Sequence, residues 1–529
     1  MKNKMLDLKY VNEIITDNEV KMWNNKDILI QAQTGTGKTH FVLGNSNKYG
    51  LIDKVGDCKI LYVYNRKKLG REIKETLIEK YNININYTNE ELDDLEEIKN
   101  ITILSYQKLE YKIKKCLVEG KEFDVDEYEY IICDESHYFL TDASFNSDTE
   151  YSYELLVTGW CSFVSNRIFI TATMDEVKDL FRRSCVYEPI EYTSGKDYSY
   201  LNVKYFKKND TITTLIKNDE SEDKWLIFVK SKKDGYDMRD CLSSYGIPCE
   251  FINSDTKEEY ISDNKFDFKV LLATKVIDNG INLKDEEIKH IVINSYDQVT
   301  MIQEIGRVRV HIKNAREINL YLNTFSKSLF INKLNIDYNP KIEQVNLFKN
   351  NPNKFKLKYS SNHSVVDKVL FRVTDNGYKL NNLAVIRLEK DIEFANYICS
   401  KFEDDKYAYI KEQLKWLGLE KTFSENNFLD NKVLDEKCVE SLANLLESVI
   451  GEKILDDMQK IISDTIKRDF NGIKKNIDYR TKKASVSTLN SILQNDLKLN
   501  YMISSKRTSK RVNGVPKKYV YWTVVKIED

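Results

Sequence analysis

The chain has 529 residues, is 41% hydrophobic and 31% charged, and carries a formal net charge of −2. That length allows roughly three to four domains with sizeable cores, and the balanced charge excludes a uniformly basic, polymer-coating protein. The nine cysteines are irregularly spaced, with no C-x-x-C pair, which predicts reduced thiols and argues against a metal centre.

The N-terminal stretch lacks the apolar core of a signal peptide, and no run reaches the ~18 apolar residues of a membrane span. A cytoplasmic protein is expected. The first candidate strand, DILIQA at 27–32, runs straight into Gln33-Thr34-Gly35-Thr36-Gly37-Lys38-Thr39. From Ala32 this fits a phosphate-binding loop with Ala in place of its first Gly. Gly35 and Gly37 let the backbone wrap so that its N–H groups face phosphate oxygens. Lys38 supplies positive charge, the Thr39 hydroxyl can ligate Mg²⁺, and a helix opening near Gly37 adds the positive end of its dipole.

Further short apolar runs follow at 59–64, 101–106 and 128–134. The last ends in Asp134-Glu135-Ser136-His137, at the carboxyl end of a strand, where ligands of open α/β sheets sit. Asp134 is placed to hold Mg²⁺, mostly through water, and Glu135 to orient and deprotonate an attacking water. Phosphoryl transfer asks for little more than positioning and charge neutralisation. The run NRIFITAT at 166–173 completes a first series. A second starts near Lys224, with strands expected at 225–230, 269–275, 289–295 and 317–322. Strands alternating with helices predict two α/β domains with parallel sheets, at 1–197 and 198–330.

From 331 to 471 the apolar residues fall at three- and four-residue spacing, and a mainly helical accessory region is expected. From Lys467 to the end there are 15 Lys and Arg against 5 Asp and Glu. Within that tail, 485–500 reads as a helix opened by a Ser cap, and 501–527 as a hairpin turning at Asn513-Gly514. A helix followed by a basic hairpin predicts a small winged-helix-like module over 472–529. Lys506, Arg507, Lys510, Arg511, Lys517 and Lys518 are its candidate nucleic-acid contacts, interleaved with aromatics that can stack on bases or form a core.

Taken in order, these motifs resemble those of superfamily 2 helicases of the DExH-box type, over roughly residues 15–325. The resemblance implies two tandem RecA-like domains, ATP and Mg²⁺ as cofactors, and a nucleic acid as partner. It implies backbone contacts at Arg66, Ser105, Gln107, Lys230 and Thr274, and coupling of hydrolysis to movement through Thr171 and Thr173. His137 would link the nucleotide site to Gln303 or Thr171, and Asp278 and Gly280 would touch the nucleotide. In QEIGRVR (303–309) an arginine finger is implied, but Arg307 and Arg309 stand two apart where the family commonly has three, so either can be the finger. Asn282 replaces an Asp common in relatives. The compact core and basic tail also resemble helicases of phages and mobile elements in low-GC bacteria. A helicase or translocase acting on DNA is expected, with an RNA helicase, or an ATP-switched nucleic-acid-binding scaffold without unwinding, as the alternatives.

Overall fold

The computed structural model describes residues 3–45, 48–85, 87–159, 164–185, 187–256, 260–275, 282–359, 363–374, 377–430, 442–443, 445–447, 449–473, 485–512 and 515–527. Its contacts divide into two units. The first comprises residues 1–205 and 219–424, and the second 206–218 and 425–529.

The first unit holds two sheets. In chain order the strands of the first are β1 (Asp27–Gln31), β2 (Ile60–Tyr64), β3 (Glu97–Ile98), β4 (Ile101–Ser105), β5 (Tyr130–Asp134), β6 (Asn166–Thr171) and β7 (Ile190–Thr193). They lie side by side as β3-β4-β2-β5-β6-β1-β7. Every pairing is parallel except the short β3 with β4. The central strands are continuous apolar runs because helices cover both faces. Thus Ile28, Leu29 and Ile30 of β1, and Ile131, Ile132 and Cys133 of β5, are all buried.

One polar pair is built into this core. Arg167 at the start of β6 grips Asp27 at the start of β1, with Nε to Oδ1 at 2.5 Å and Nη2 to Oδ2 at 2.7 Å. Its Nη1 donates to the carbonyls of Leu156 and Val157, so the buried charge is both paired and hydrogen-bonded.

The second sheet is formed by β8 (Leu201–Phe206), β9 (Lys224–Phe228), β10 (Cys249–Ile252), β11 (Val270–Ala273), β12 (Ile288–Ile293) and β13 (Ile318–Asn323). Their order is β8-β13-β12-β9-β11-β10. The expectation of two parallel-sheet domains is met, with β3, β7, β8 and β10 as strands added to those read from the sequence.

The helices that bear on the site are α1 (Lys38–Leu43), α2 (Lys67–Lys80), α3 (Tyr106–Val118), α4 (Tyr138–Asp142), α5 (Met174–Arg182) and α6 (Gln298–Ile305). Two more helices of the first unit follow, α7 (Asn382–Asp404) and α8 (Ala408–Trp416). Asn381 caps α7 by accepting the Ala384 N–H at 3.0 Å, a strong N-cap choice.

The second unit contains α9 (Asp456–Ile473), α10 (Val486–Ser491) and an antiparallel hairpin of β14 (Tyr501–Val512) and β15 (Val515–Lys526). Ser485 caps α10, accepting from Thr488 N at 3.2 Å. Leu489, Leu493, Ile503 and Val524 share one apolar core with Ile462 and Ile466 of α9. The Asn513-Gly514 turn lies outside the described residues. Among the described residues no helix is long and apolar enough to cross a membrane.

Candidate functional site

Three strand ends of the first sheet and one helix of the second domain converge on a cavity of ≈ 500 Å³. The phosphate-loop candidate follows β1. Gly35 and Gly37 have φ of +89° and +81°, values a side-chain-bearing residue rarely adopts. Thr36 is buried, with its hydroxyl donating to the Gln33 carbonyl at 2.7 Å, so its side chain braces the loop from within. Thr34, Lys38 and Thr39 face the cavity. Thr34 packs so closely on Gly306 that a Cβ there would lie 2.6 Å from its Oγ1. A side chain at 306 would therefore have to push Thr34 aside where the end of α6 meets the loop.

Asp134 and Glu135 follow β5. Asp134 is 3% exposed; its Oδ2 accepts from the Tyr62 hydroxyl and its Oδ1 from the Glu135 N–H, both at 2.9 Å. Burial, reinforced by the Glu135 charge, raises its pKa to about 6. Glu135 moves the other way. Burial alone would raise it, but Lys38, with Nζ 3.4 Å from Oε1, and then His137 and Arg307 hold it ionised well below the carboxylate range. Its backbone sits at φ +50°, and such strain gathers at sites that the surroundings over-determine.

His137 Nδ1 lies 3.0 Å from Thr171 Oγ1 and 3.3 Å from Glu135 Oε2. Thr171 Oγ1 is in turn 3.3 Å from Thr173 Oγ1. From the second domain, Gln303 Nε2 donates to the same Glu135 Oε2 at 3.3 Å, and Arg307 Nη2 donates to Gln303 Oε1 at 2.9 Å. The geometry thus joins His137 to Thr171 directly and to Gln303 through one shared carboxylate oxygen. Arg307 and Arg309 both wall the cavity. Burial, with the Arg307 charge beside it, lowers the Arg309 pKa to about 10, which leaves it charged at neutral pH.

These residues fit a nucleotide triphosphate with a divalent cation. Lys38, Arg307 and Arg309 bring positive charge to one cavity, and the Thr39 hydroxyl and Asp134 carboxylate share it as oxygen donors suited to Mg²⁺. Among the described residues no group of three or more His, Cys, Asp or Glu is gathered to hold a metal. Mg²⁺ commonly keeps waters and substrate phosphates instead of a full protein cage.

The candidate polymer contacts divide. Arg66, Lys230 and Thr274 wall the same cavity, and Arg66 holds φ +89° at the start of α2. Ser105 and Gln107 do not wall it; the Ser105 hydroxyl caps α3 by accepting from Lys108 N at 3.1 Å, and Gln107 is exposed. Lys506 and Arg507 are exposed on β14. Lys510, Arg511, Lys517 and Lys518 fall in the distal half of the hairpin by register, with side chains outside the described set. Asp278 and Gly280 also lie outside the described residues.

Sequence reasoning missed Asn65, Asp142 and Lys275, and gave Asn282 no role; all four wall the cavity. Asp142 is 3% exposed, and burial lifts its pKa to about 6 against the pull of Arg66, His137 and Lys275. Asn65 and Lys275 each adjoin a residue the motifs had picked out, which was a usable signal. Asp142 lies a turn beyond His137 and had none.

Two family models match the chain. Residues 14–180 match the DEAD/DEAH box helicase model, and residues 207–311 match the helicase conserved C-terminal domain. No curated protein matches. Among solved structures, Dbp5 of S. cerevisiae bound to RNA and ADP BeF3 is 17% identical, with 60% of this chain and 84% of that one covered at a TM-score of 0.40. A DEAD box protein from the hyperthermophile Methanococcus jannaschii is 18% identical, with 56% and 82% covered at a TM-score of 0.31. With both helicase domains in tandem on its two sheets, the chain is a superfamily 2 helicase, an ATP-hydrolysing, nucleic-acid-dependent enzyme.

Proposed function

We propose that this enzyme is of the DExH type, with His137 as the marker residue, and that it moves along one strand of a nucleic acid as ATP is turned over. The observation that carries the reading is the single cavity walled at once by Lys38, Glu135 and Arg307 and by Arg66, Lys230 and Thr274. Bound Mg²⁺ would neutralise phosphate charge and polarise the bond to be broken. Thr39 and Asp134 would hold it.

Lys38 would exchange its partner Glu135 for phosphate oxygens, which frees that carboxylate to orient the attacking water and take its proton. Gln303, bonded to Glu135, would help fix the water. Arg307 or Arg309 would meet the charge that grows on the transferred phosphoryl group. His137, which shares Glu135 with Gln303 and is bonded to Thr171, would report the nucleotide's state through Thr171 to Thr173 and α5. Arg66, Lys230 and Thr274 would grip the polymer from both domains, so that closing and opening the cleft steps one grip past the other.

DNA is favoured by the basic hairpin, whose exposed Lys506 and Arg507 suit a duplex backbone. A second reading, RNA, is favoured by a separate feature. The buried Oδ1 atoms of Asn65 and Asn282, in the cavity wall, have no hydrogen-bond partner among the described residues. A ribose 2′-hydroxyl is a donor that deoxyribose lacks. ATPase assays with single-stranded DNA and RNA, joined to unwinding of 3′-tailed, 5′-tailed and blunt duplexes, test both. Stimulation by DNA beyond RNA supports the first reading, stimulation by RNA alone sinks it, and turnover equal to a Lys38→Ala control with either polymer sinks both.

A further inference from the structure

Helices α7 and α8 touch both sheet domains beside the residues that face the nucleotide. On the first domain, Leu383 of α7 is part of the core, and Asn382 N donates to Glu150 Oε1 at 2.7 Å. One turn on, Arg387 Nη1 donates to the carbonyl of Leu140, in the helix that His137 opens, at 3.3 Å. Lys390 Nζ donates to the carbonyl of Glu176 in α5, the helix that follows Thr173. On the second domain, Tyr409 of α8 donates its hydroxyl to the Tyr296 carbonyl at 2.6 Å, and Gln413 Nε2 donates to the Asn323 carbonyl at 3.1 Å. Tyr409 and Gln413 are fully buried. The two helices lock together through Phe394 and Trp416, with ring centroids 5.9 Å apart.

Arg387 stands at the junction. Asp391 aims its guanidinium, accepting from Nε at 3.1 and 3.0 Å and pairing with Nη2 at 2.9 Å. The guanidinium and Asp297 wall one cavity of ≈ 340 Å³, together with Thr141 and Glu176 of the first domain. Asp297 is the N-cap of α6, accepting from Thr300 N at 2.9 Å. That helix has barely two turns, and its far end carries Gln303, bonded to Glu135, and leads to Arg307. Arg387 does not wall the nucleotide cavity. It reaches the reaction only through α4 on one side and α6 on the other.

We propose that Arg387 is a positioning residue for ATP hydrolysis: by holding the Leu140 carbonyl and facing the Asp297 cap, it fixes where Gln303 and Arg307 stand against Glu135. The accessory helices then do more than fill space beside the core. They set the register of the second domain's side chains on the first domain's carboxylate, and polymer binding that shifts the domains must act against this tie. The inference rests on the polymer-driven reading above.

The test is steady-state ATP turnover of the full chain, with and without single-stranded polymer, for Arg387→Ala, Arg387→Lys and Asp297→Asn. Asn is also a good N-cap, so the last variant removes the facing charge and keeps the helix start. Polymer-stimulated kcat is expected to fall about tenfold in Arg387→Ala, a scale set by one charge-assisted hydrogen bond. The KM for ATP should stay within about twofold, because ground-state binding is untouched. Arg387→Lys should recover part of the loss, and adding Asp297→Asn, which also releases Lys275 Nζ at 3.9 Å, to Arg387→Ala should cost less than Asp297→Asn does alone. A double-mutant cycle of Arg387→Ala with Gln303→Ala should be clearly non-additive in kcat. Additive losses, or normal kcat beside a lowered melting temperature, or a raised KM with kcat intact, would each overturn the inference. A wild-type enzyme indifferent to both polymers would overturn the polymer reading and this inference together. A stimulated wild type beside a fully stimulated Arg387→Ala overturns the inference alone.

Discussion

The two walls of the nucleotide cavity are made differently. The wall on the first sheet is preset. It consists of strand ends, two glycines and Glu135 at positive φ, and a carboxylate pair held by Tyr62, Lys38 and backbone. The wall on the second domain joins Lys230, Thr274, Lys275 and Asn282 to a two-turn helix and the loop after it, from which long side chains reach across in a hydrogen-bonded chain from Arg307 through Gln303 to Glu135. A group that must hold metal and water in register belongs on rigid elements. In the proposed cycle, charges that arrive and leave with each turnover suit a small element.

Breaking the preset wall should have the largest effect. Glu135→Gln keeps the shape and removes the base, and turnover should fall by about 10³-fold, with nucleotide binding retained in a filter or fluorescence assay. The frame of that wall is tested by Arg167→Ala, which strands the buried Asp27. Unfolding in urea should register a loss of about 3–5 kcal/mol. On the second domain's wall, Arg307→Ala and Arg309→Ala should differ, with about 10³-fold or more lost in kcat for the finger and several-fold for the other. Equal losses would mean that the two act as one unit.

Away from the cavity, burial lowers the pKa of His290 to about 4, where it stacks on Trp225 at 4.0 Å. An unfolded histidine titrates near 6.5, so this contribution to stability is whole above that pH and is lost as the pH falls toward 4. By pH 5 the part lost amounts to about 2 kcal/mol, and a His290→Phe variant should show a flatter loss between pH 7 and 5 in the same urea titration. The smallest effect is expected at the hairpin. Replacing both Lys506 and Arg507 should lower the salt slope of polymer binding by up to about 2 and leave basal turnover unchanged.

Much of the first domain was legible because parallel strands buried on both faces read as unbroken apolar runs, as in 28–30 and 131–133. The edge strands β7 and β10 were not, because Ile190-Glu191-Tyr192-Thr193 and Cys249-Glu250-Phe251-Ile252 are short and mix polar and apolar residues. At the site, spacing and strand context were enough to single out Lys38, Asp134 and Glu135, which share one cavity. They could not give the Gln303–Glu135 bond, which spans 168 residues of sequence, or the burial of Asp142, which depends on what folds over it. Ser105 carried a motif position and a capping position at once, and the structure puts its hydroxyl to the second use.

The hairpin has a consequence for experiments that aim at its charge. Twelve residues per strand at ~3.4 Å each make a ribbon about 40 Å long. Asn490 is bonded to Ile503 on one border, and Ile454 to Trp522 on the other. Further along, the sequence places Lys506, Arg507, Lys510 and Arg511 on one strand and Lys517 and Lys518 on the other. Cationic side chains on a narrow ribbon discourage it from annealing to a second copy. Neutralising them to weaken polymer binding would also remove that safeguard, and the variant could be lost to aggregation. Glutamate in their place keeps the ribbon charged and soluble while it repels phosphate, and is the cleaner substitution.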